Sequence, residues 1–267
     1  MKNFFRKYRH ILYLFFKTII LHRSWNMAAI LGTRNLTKNY GDTVALNDVT
    51  LSVEKGVMFG LLGPNGSGKT TMIKILTGQI RATRGCATVL GIDPDTNPVG
   101  VREKVGIIPE QETPPSFLTA TEYLDFVGEV RKISDVRERA EWWFDFLEFS
   151  DKRNVLCKDL SRGTRQKLMF TQAFLHSPTL ALIDEPLINF DPIMQRKVKD
   201  YLVDYVKKGN TIFISTHILE IAEEICTDFA ILHNGHLLHS GPTSFLRDHN
   251  RHLDEFFLSL VRKDSHV

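Results

Sequence analysis

Short apolar runs alternate along the chain with longer stretches in which apolar residues recur at helical spacing. The apolar runs predict β-strands, because buried strands are brief and rich in branched and aromatic side chains. These predicted strands lie at residues 33–40, 44–46, 49–53, 57–62, 87–90, 105–108, 180–183, 211–215 and 229–232. Helical spacing is found at residues 71–77, 192–207 and 217–225, and through most of 117–176. This alternation predicts an α/β fold with a mainly parallel sheet covered by helices.

The same pattern divides the chain into segments. Residues 1–30 form a basic and apolar tail, residues 31–258 a large domain, and residues 259–267 a short C-terminal tail. Within the domain, residues 117–176 are predicted to form an inserted helical subdomain, which begins after an irregular loop with two prolines. With 267 residues, 43% of them hydrophobic, the chain can bury a sizeable core.

The N-terminal residues carry the strongest charge asymmetry. Residues 1–26 hold six bases and no acid, and the remainder holds 34 − 6 = 28 bases against 31 acids. The slightly acidic remainder argues against nucleic acid as a partner of the main domain. The apolar run at 11–21 contains Lys17 and is shorter than the ~20 residues that a spanning helix needs. One interpretation of residues 1–26 is a helix on an anionic membrane surface. We favour the other interpretation, an ordinary upstream tail or a physiological start at Met27.

Residues 63–70 match the spacing G-x-x-x-x-G-K-[ST] of a phosphate-binding loop, between a predicted strand and a predicted helix. Glycines let backbone N–H groups close around phosphate oxygens, and the following helix points its positive end at the same anion. We expect Lys69 to reach the outer phosphates and Thr70 to ligate Mg²⁺. The predicted nucleotide-binding residues are Gly63, Pro64, Asn65, Gly66, Ser67, Gly68, Lys69, Thr70 and Thr71. The sequence therefore predicts a P-loop NTPase core.

Two acids, Asp184 and Glu185, follow the predicted strand at 180–183. Ligands bind at the carboxyl ends of strands in open α/β sheets, so these acids are expected beside the phosphate loop. Asp184 is predicted to hold Mg²⁺, through water, and Glu185 to polarise the attacking water. Solvated acids at a strand end are the simpler alternative, which the phosphate loop weakens.

Residues 160–167, Leu-Ser-Arg-Gly-Thr-Arg-Gln-Lys, precede a helical stretch. Ser161 can cap that helix and, with Gly163, form a second anion site; alone, the pattern is better explained as an ordinary capped helix. Taken together with its place before Asp184, the stretch 160–167 resembles the L-S-G-G-Q signature and basic-Gln-basic run of the ATP-binding subunits of ATP-binding-cassette transporters. Arg162 stands in place of Gly and Thr164 in place of Gln, a form similar to that of the subfamily serving ABC-2-type membrane subunits.

This resemblance covers roughly residues 31–258 and implies an antiparallel β subdomain beside the P-loop core. It implies that Tyr40 stacks on adenine, that His217 is the switch histidine contacting the γ-phosphate, and that Asp191 belongs to the D-loop. His217 thereby joins Glu185 and Lys69 in the catalytic set. It further implies that one signature completes the ATP site of another subunit in trans. The signature residues are Ser161, Arg162, Gly163 and Thr164.

One departure from the family concerns the Q-loop glutamine, which follows a short strand and a proline. Here Pro109 is followed by Glu110, and Gln111 comes next. We align Glu110 with the glutamine and expect it to sense the metal, because a carboxylate could ligate Mg²⁺ more strongly than an amide. A shift by one residue, which would let Gln111 serve, stays open.

The resemblance implies an ATP-binding and ATP-hydrolysing subunit that powers a separate membrane permease. Two copies, or one copy and a paralogue, are expected to close head to tail around two ATP molecules with Mg²⁺. The chain is expected at the cytoplasmic face of the cell membrane as a peripheral subunit, and the signature favours export. The alternative is a soluble cassette ATPase in a cofactor- or macromolecule-assembly complex. The transported substrate does not follow from the sequence.

Overall fold

The computed structural model describes residues 29–111, 114–185, 187–248 and 252–264. The strands are β1 (Ala29–Tyr40), β2 (Thr43–Glu54), β3 (Met58–Leu62), β4 (Arg84–Val89), β5 (Val105–Ile108), β6 (Leu180–Asp184), β7 (Thr211–Thr216), β8 (Asp228–His233) and β9 (His236–Pro242). The helices are α1 (Lys69–Leu76), α2 (Pro98–Lys104), α3 (Ala120–Arg131), α4 (Val136–Phe146), α5 (Arg162–Phe174), α6 (Pro192–Lys207), α7 (Leu219–Ile225), α8 (Ser244–Asp248) and α9 (Leu253–Asp264). The interpretations of residues 1–26 concern a segment outside the described residues.

A six-stranded sheet carries the site, with strand order β5-β6-β7-β3-β8-β9. Its strands are parallel except for β9, which pairs antiparallel with β8. Strands β3, β6 and β7 are buried along their whole length, which explains their continuous apolar runs. Because β7 lies between β6 and β3, the chain segments that follow these strands meet at one edge of the sheet.

A second, antiparallel sheet of order β2-β1-β4 lies beside the first. One hydrophobic core joins it to one face of the six-stranded sheet, and a larger core lies on the other face among α3, α4, α5 and α6. The structure therefore confirms the predicted fold class: a P-loop α/β core with a mainly parallel sheet and an antiparallel β subdomain.

Helices α3, α4 and α5 lie between β5 and β6, within the range 117–176 assigned to the helical insertion. Thr119 and Glu122 form a capping box at the start of α3, in which each side chain accepts the other residue's backbone N–H. Trp143 on α4 makes edge contacts with Phe170 on α5 and Tyr201 on α6. The tryptophan thus packs the insertion against the core, as its helical spacing indicates.

The domain bounds of 31 and 258 stay predictions, and the elements at both ends extend past them. Strand β1 begins at Ala29, two residues before the expected start at 31. Helix α9 runs through the expected boundary at 258 to Asp264, because Leu260 continues the apolar face that packs on the core. Among the described residues, no helix has both the length and the apolar character to cross a membrane.

Candidate active site

The loop between β3 and α1 depends on glycine for close backbone packing. At Gly63 a Cβ atom would lie 2.2 Å from the carbonyl oxygen of Leu232, and at Gly68 it would lie 2.4 Å from that of Ala45. Gly68 also has a φ of 109°, which favours glycine, at the residue before α1. Residues 64–66 are exposed at the crest of the loop. The loop backbone can therefore close around an anion in front of the helix.

Lys69 is the buried cation of this loop, with 6% of its surface exposed. Its Nζ atom donates hydrogen bonds to the carbonyl oxygens of Gly63 at 2.8 Å and Pro64 at 3.0 Å. Burial lowers the pKa of Lys69, whereas three nearby carboxylates, Glu185 most strongly, oppose that shift. Carbonyl oxygens hold this ammonium group at the loop and the acids favour its charged form, so it is suited to bind a strongly charged anion.

Ser67 adds evidence that the loop fits phosphate. Its side chain is 2% exposed, and its hydroxyl oxygen has no hydrogen-bond partner among the described residues. Buried hydroxyl groups normally have a partner. Together with Lys69 and the start of α1, this hydroxyl supplies the donors that the outer phosphates of a nucleotide require.

Asp184 is the last residue of β6 and is only 3% exposed. It lies opposite Ser215 in the register of β6 and β7, and the Ser215 hydroxyl donates a hydrogen bond to its Oδ1 atom. Burial raises the pKa of Asp184, and hydrogen bonds from the Ser215 and Thr70 hydroxyls oppose that shift. The strand order therefore places a carboxylate against Thr70, at the start of α1.

Glu185 follows at a φ of 50°, an unusual backbone conformation for a residue with a side chain. Its Oε1 atom lies 2.7 Å from Nδ1 of His217 and accepts the His217 backbone N–H at 3.1 Å. Its Oε2 atom accepts the hydroxyl of Thr216 at 3.1 Å. The structure thus brings together the two residues predicted as general base and switch histidine.

Glu110 lies two residues after β5, and its Oε2 atom is 3.3 Å from the hydroxyl oxygen of Thr70. Gln111 lines a smaller adjoining cavity, beside Lys74 and Gln79. Of the two candidates for the Q-loop position, Glu110 makes the contact with Thr70. Thr70, Asp184 and Glu110 therefore converge, and hydroxyl and carboxylate oxygens are the ligands that Mg²⁺ prefers.

A cleft of about 460 Å³ joins these groups. The residues lining it include Asn65, Gly66, Gly68, Lys69, Thr70, Thr71, Glu110, Arg162, Asp184, Glu185, Asn189 and His217. The phosphate loop, the acids at the end of β6 and the histidine after β7 thus share one concave surface. Among the described residues, no group of three or more His, Cys, Asp and Glu side chains could hold a metal ion by itself.

The signature residues lie at the start of α5. Ser161 is the N-cap: its hydroxyl oxygen accepts the Thr164 N–H at 3.2 Å and lies 2.8 Å from the Thr164 hydroxyl. Ser161 and Arg162 are exposed, and Arg162 reaches the wall of the cleft. A Cβ atom at Gly163 would lie 3.1 Å from the carbonyl oxygen of Asn189, in the segment after β6. The helix start is therefore capped, yet it presents its polar side chains to solvent.

Two predicted residues lie away from the carboxylates. Tyr40 is 48% exposed at the end of β1, where the ammonium of Lys38 lies 5.0 Å from its ring centroid. Asp191 caps α6 by accepting the backbone N–H groups of Ile193 and Met194, each at 3.0 Å. The contacts of Asp191 within this chain are those of a helix cap, and those of Tyr40 belong to the β subdomain.

Sequence reasoning assigned no role to Ser215 and Thr216, the hydroxyl residues that hold Asp184 and Glu185. The signal that could reveal them is the order of the strands. Once β7 is known to lie beside β6, the last polar residues of β7 must face the acids that end β6. Neither composition nor spacing along the chain supplies that order.

The fold and the cleft together define a P-loop nucleotide-binding ATPase. The model of a family described as "ABC transporter" matches residues 46–188, about half of the chain. The chain belongs to this family and is one of its ATP-binding, ATP-hydrolysing subunits. The predictions of family, nucleotide binding and ATPase activity are therefore confirmed.

Relatives from several bacteria show the same similarity. An ABC transporter ATP-binding protein of Synechocystis sp. is 37% identical over 204 residues, which are 74% of this chain and 56% of that protein. The bacitracin transport ATP-binding protein BcrA of Enterococcus faecalis is 33% identical over 87% of this chain and 76% of its own length. The solved structure of an ATP-binding subunit of an ABC transporter superposes with a TM-score of 0.81 at 31% identity, covering 87% of this chain and 99% of that one.

Proposed function

We propose that this chain hydrolyses Mg²⁺-bound ATP at the cytoplasmic face of a membrane and powers a permease on a separate chain. The observation that carries the proposal is the convergence at one cleft of Lys69, Thr70 and the acids that end β6. Export is the favoured direction, because the relatives include proteins named for Nod factor export and for daunorubicin/doxorubicin resistance. The transported compound is not part of the proposal.

The chemistry assigned to the cleft follows from its charges. Thr70, Asp184 and Glu110 would hold Mg²⁺, which neutralises phosphate charge when bound. Lys69 reaches the outer phosphates, since its Nζ atom already lies at the phosphate loop. Glu185 accepts a proton from the water that attacks the γ-phosphate.

His217 and Thr216 fix where Glu185 can act. Both carboxylate oxygens of Glu185 accept hydrogen bonds from the segment at the end of β7. The side chain of His217 is 41% exposed and that of Glu185 11% exposed, and both line the cleft. We assign to His217 a contact with the γ-phosphate and to Glu185 the attacking water, so the two residues act together on the terminal phosphate.

The active unit is a head-to-tail dimer of two copies, or of one copy and a paralogue. Ser161 and Arg162 are exposed at the start of α5, where backbone N–H groups and the helix dipole favour an anion. Arg162 adds a guanidinium where the family has glycine. We infer that this surface covers the γ-phosphate held in the cleft of the partner subunit, and that Tyr40 and Asp191 act at that closed interface.

The permease contacts the helical insertion. Four large apolar side chains are exposed there: Phe117 (76%) before α3, Phe126 (52%) and Val130 (63%) on α3, and Trp142 (51%) on α4. Exposed apolar groups of this size mark interaction surfaces. Phe117 belongs to the loop near 111–118, the expected coupling loop, of which residues 112 and 113 are not described, and α3 begins shortly after it.

The proposed function is tested by ATP turnover and binding in the wild type and in Glu185→Gln. The wild type should hydrolyse ATP only with Mg²⁺, whereas Glu185→Gln should bind ATP normally and hydrolyse it at least about a hundredfold more slowly. Co-purification with a membrane-spanning chain tests the transport assignment. Recovery of the wild type in a soluble assembly complex instead would contradict it.

A further inference from the structure

Strand β5 is one of the two edge strands of the main sheet, and the segment after it contains Glu110. Among the described strands it pairs with β6 alone, so the carbonyl groups on its outer side receive no hydrogen bonds from a second described strand. Edge carbonyls of this kind normally bond to water or to side chains. Here side chains from the helical insertion reach them.

Gln172 on α5 makes the shortest of these contacts. Its Nε2 atom donates a hydrogen bond of 2.7 Å to the carbonyl oxygen of Ile107. Arg131, at the end of α3, donates to the carbonyl oxygens of Val105 at 3.3 Å and Glu103 at 3.1 Å. Because Val105 and Ile107 are two residues apart, their carbonyl groups point to the same side of the strand.

Gly106 provides independent evidence that this contact is close. A Cβ atom there would lie 2.5 Å from the carbonyl oxygen of Ala173, which is the residue after Gln172 on α5. Glycine therefore lets the backbone of α5 approach the backbone of β5. The hydrogen bond from Gln172 to Ile107 then fixes the position of α5 along β5.

The hydrogen bond between Gln172 and Ile107 joins two elements that lead to different functional residues. Helix α5 starts at the signature residues, and Gln172 lies ten residues after Arg162, about 15 Å along the helix. On the strand side, Ile108 and Pro109 separate Ile107 from Glu110. Pro109 fixes one of the few backbone angles between them, so a displacement of Ile107 moves the short segment that carries Glu110.

We propose that Gln172 is a positioning residue that ties the signature helix to Glu110. The inference rests on the role proposed above for Glu110 toward Mg²⁺. A signature helix drawn toward the nucleotide of a partner subunit would pull on β5 through Gln172 and shift Glu110 against Thr70. Nucleotide binding at the partner subunit's site would thereby change the affinity of this subunit for Mg²⁺.

The test compares Gln172→Met, which keeps the shape but loses the donor, with Gln172→Lys, which keeps a donor. Calorimetry measures binding of the non-hydrolysable analogue AMP-PNP with Mg²⁺ and with EDTA. The gain from Mg²⁺ is the ratio of the affinity for AMP-PNP with Mg²⁺ to the affinity in EDTA. In Gln172→Met this ratio should fall by about threefold to tenfold, because one hydrogen bond of this kind contributes about 1 kcal/mol. The affinity in EDTA should be unchanged. Gln172→Lys should keep most of the gain.

Thr171→Val is the matched control on the same helix. It removes the hydrogen bond from the Thr171 hydroxyl to the Lys167 carbonyl, which is internal to α5. It should lower thermal stability without changing the gain from Mg²⁺. If Gln172→Met does not fold, Gln172→Asn, whose amide is one methylene too short, takes its place with the same expectation.

Hydrogen exchange gives a readout that does not depend on nucleotide. Amides of residues 105–111 should exchange faster in Gln172→Met than in Thr171→Val. A Gln172→Met protein that keeps the full gain from Mg²⁺ would overturn the inference and leave the proposed function intact. A wild type that binds AMP-PNP no more tightly with Mg²⁺ would instead contradict the proposed role of Glu110 itself.

Discussion

The hydroxyl oxygen of Thr70 lies 3.3 Å from Oε2 of Glu110, so the first turn of α1 and the segment after β5 meet at one point. Asp184 approaches the same hydroxyl from β6. Glu110, the residue that we align with the Q-loop glutamine, is therefore the acid that contacts Thr70 from this side. Its charge adds to that of Asp184 and Glu185 around Lys69.

Replacement of Glu110 tests which residue occupies the Q-loop position. Glu110→Ala should lower ATPase activity by about tenfold and raise the Mg²⁺ concentration needed for half-maximal activity, because a metal ligand is lost. Gln111→Ala is the matched control and should leave both values near those of the wild type. Full activity in Glu110→Ala with loss in Gln111→Ala would show that the alignment is shifted by one residue.

Thr216 should affect the rate rather than the binding of ATP. The Thr216 hydroxyl donates a hydrogen bond to Oε2 of Glu185 at 3.1 Å, and its oxygen accepts the backbone N–H of Ile218 at 3.1 Å. Thr216→Val should lower kcat by about tenfold with KM nearly unchanged, because Glu185 loses one of the groups that orient it. Thr216→Ser should restore the rate. Equal kcat values for Val and Thr would show that the contact does not orient the base.

The strands were predictable because of how they are buried. Strands β3, β6 and β7 are enclosed on both faces, so continuous apolar runs mark them in the sequence. Strand β9, only partly buried, has no such run and was not predicted. Helix α2 was not predicted either. It is short, Asn97 caps it and Pro98 is its first residue.

The site was predictable where its residues are contiguous in sequence. The phosphate loop and the pair Asp184-Glu185 are local motifs, and the structure places them in one cleft. The contact between Thr216 and Glu185 joins residues 31 positions apart and depends on strand order. The hydrogen bonds of this contact leave no pattern in the spacing of residues along the chain, so they could not be predicted from the sequence.

His176 should make stability fall in mild acid. Burial first, and the nearby Arg131 second, lower the pKa of His176 to about 4, and the Arg131 Nη1 atom lies 2.8 Å from its Nε2 atom. The pKa of folded His176 lies below the ordinary histidine pKa of 6.5, so over this pH range the unfolded chain binds a proton that the folded chain does not. Stability therefore falls as pH decreases from about 6.5 to about 4.

Chemical denaturation across that pH range measures the effect. Over that pH range the free energy of unfolding should fall by a smaller amount in His176→Gln than in the wild type. The difference between the two falls should be on the order of 1–2 kcal/mol. Parallel curves for the two proteins would show that His176 titrates normally in the folded state.

The apolar surface on α3 should govern attachment to the permease. Phe126→Glu places a charge in a surface that would be buried against a partner, so the fraction of the chain recovered with membranes should fall by about tenfold. Leu258→Glu is the control, because Leu258 is similarly exposed, at 49%, but lies on α9. Basal ATPase activity should be unchanged in both variants. Equal membrane recovery for the two would place the permease contact elsewhere.

The central claim is that the cleft is one half of an ATP site completed by another subunit. Light scattering on Glu185→Gln with saturating Mg²⁺-ATP tests it most directly. The account predicts a particle close to twice the 30.6 kDa of one chain, and a monomer when ATP is omitted or when Ser161→Tyr blocks the signature surface. A Glu185→Gln protein that binds ATP by calorimetry yet stays at the mass of one chain would contradict the account.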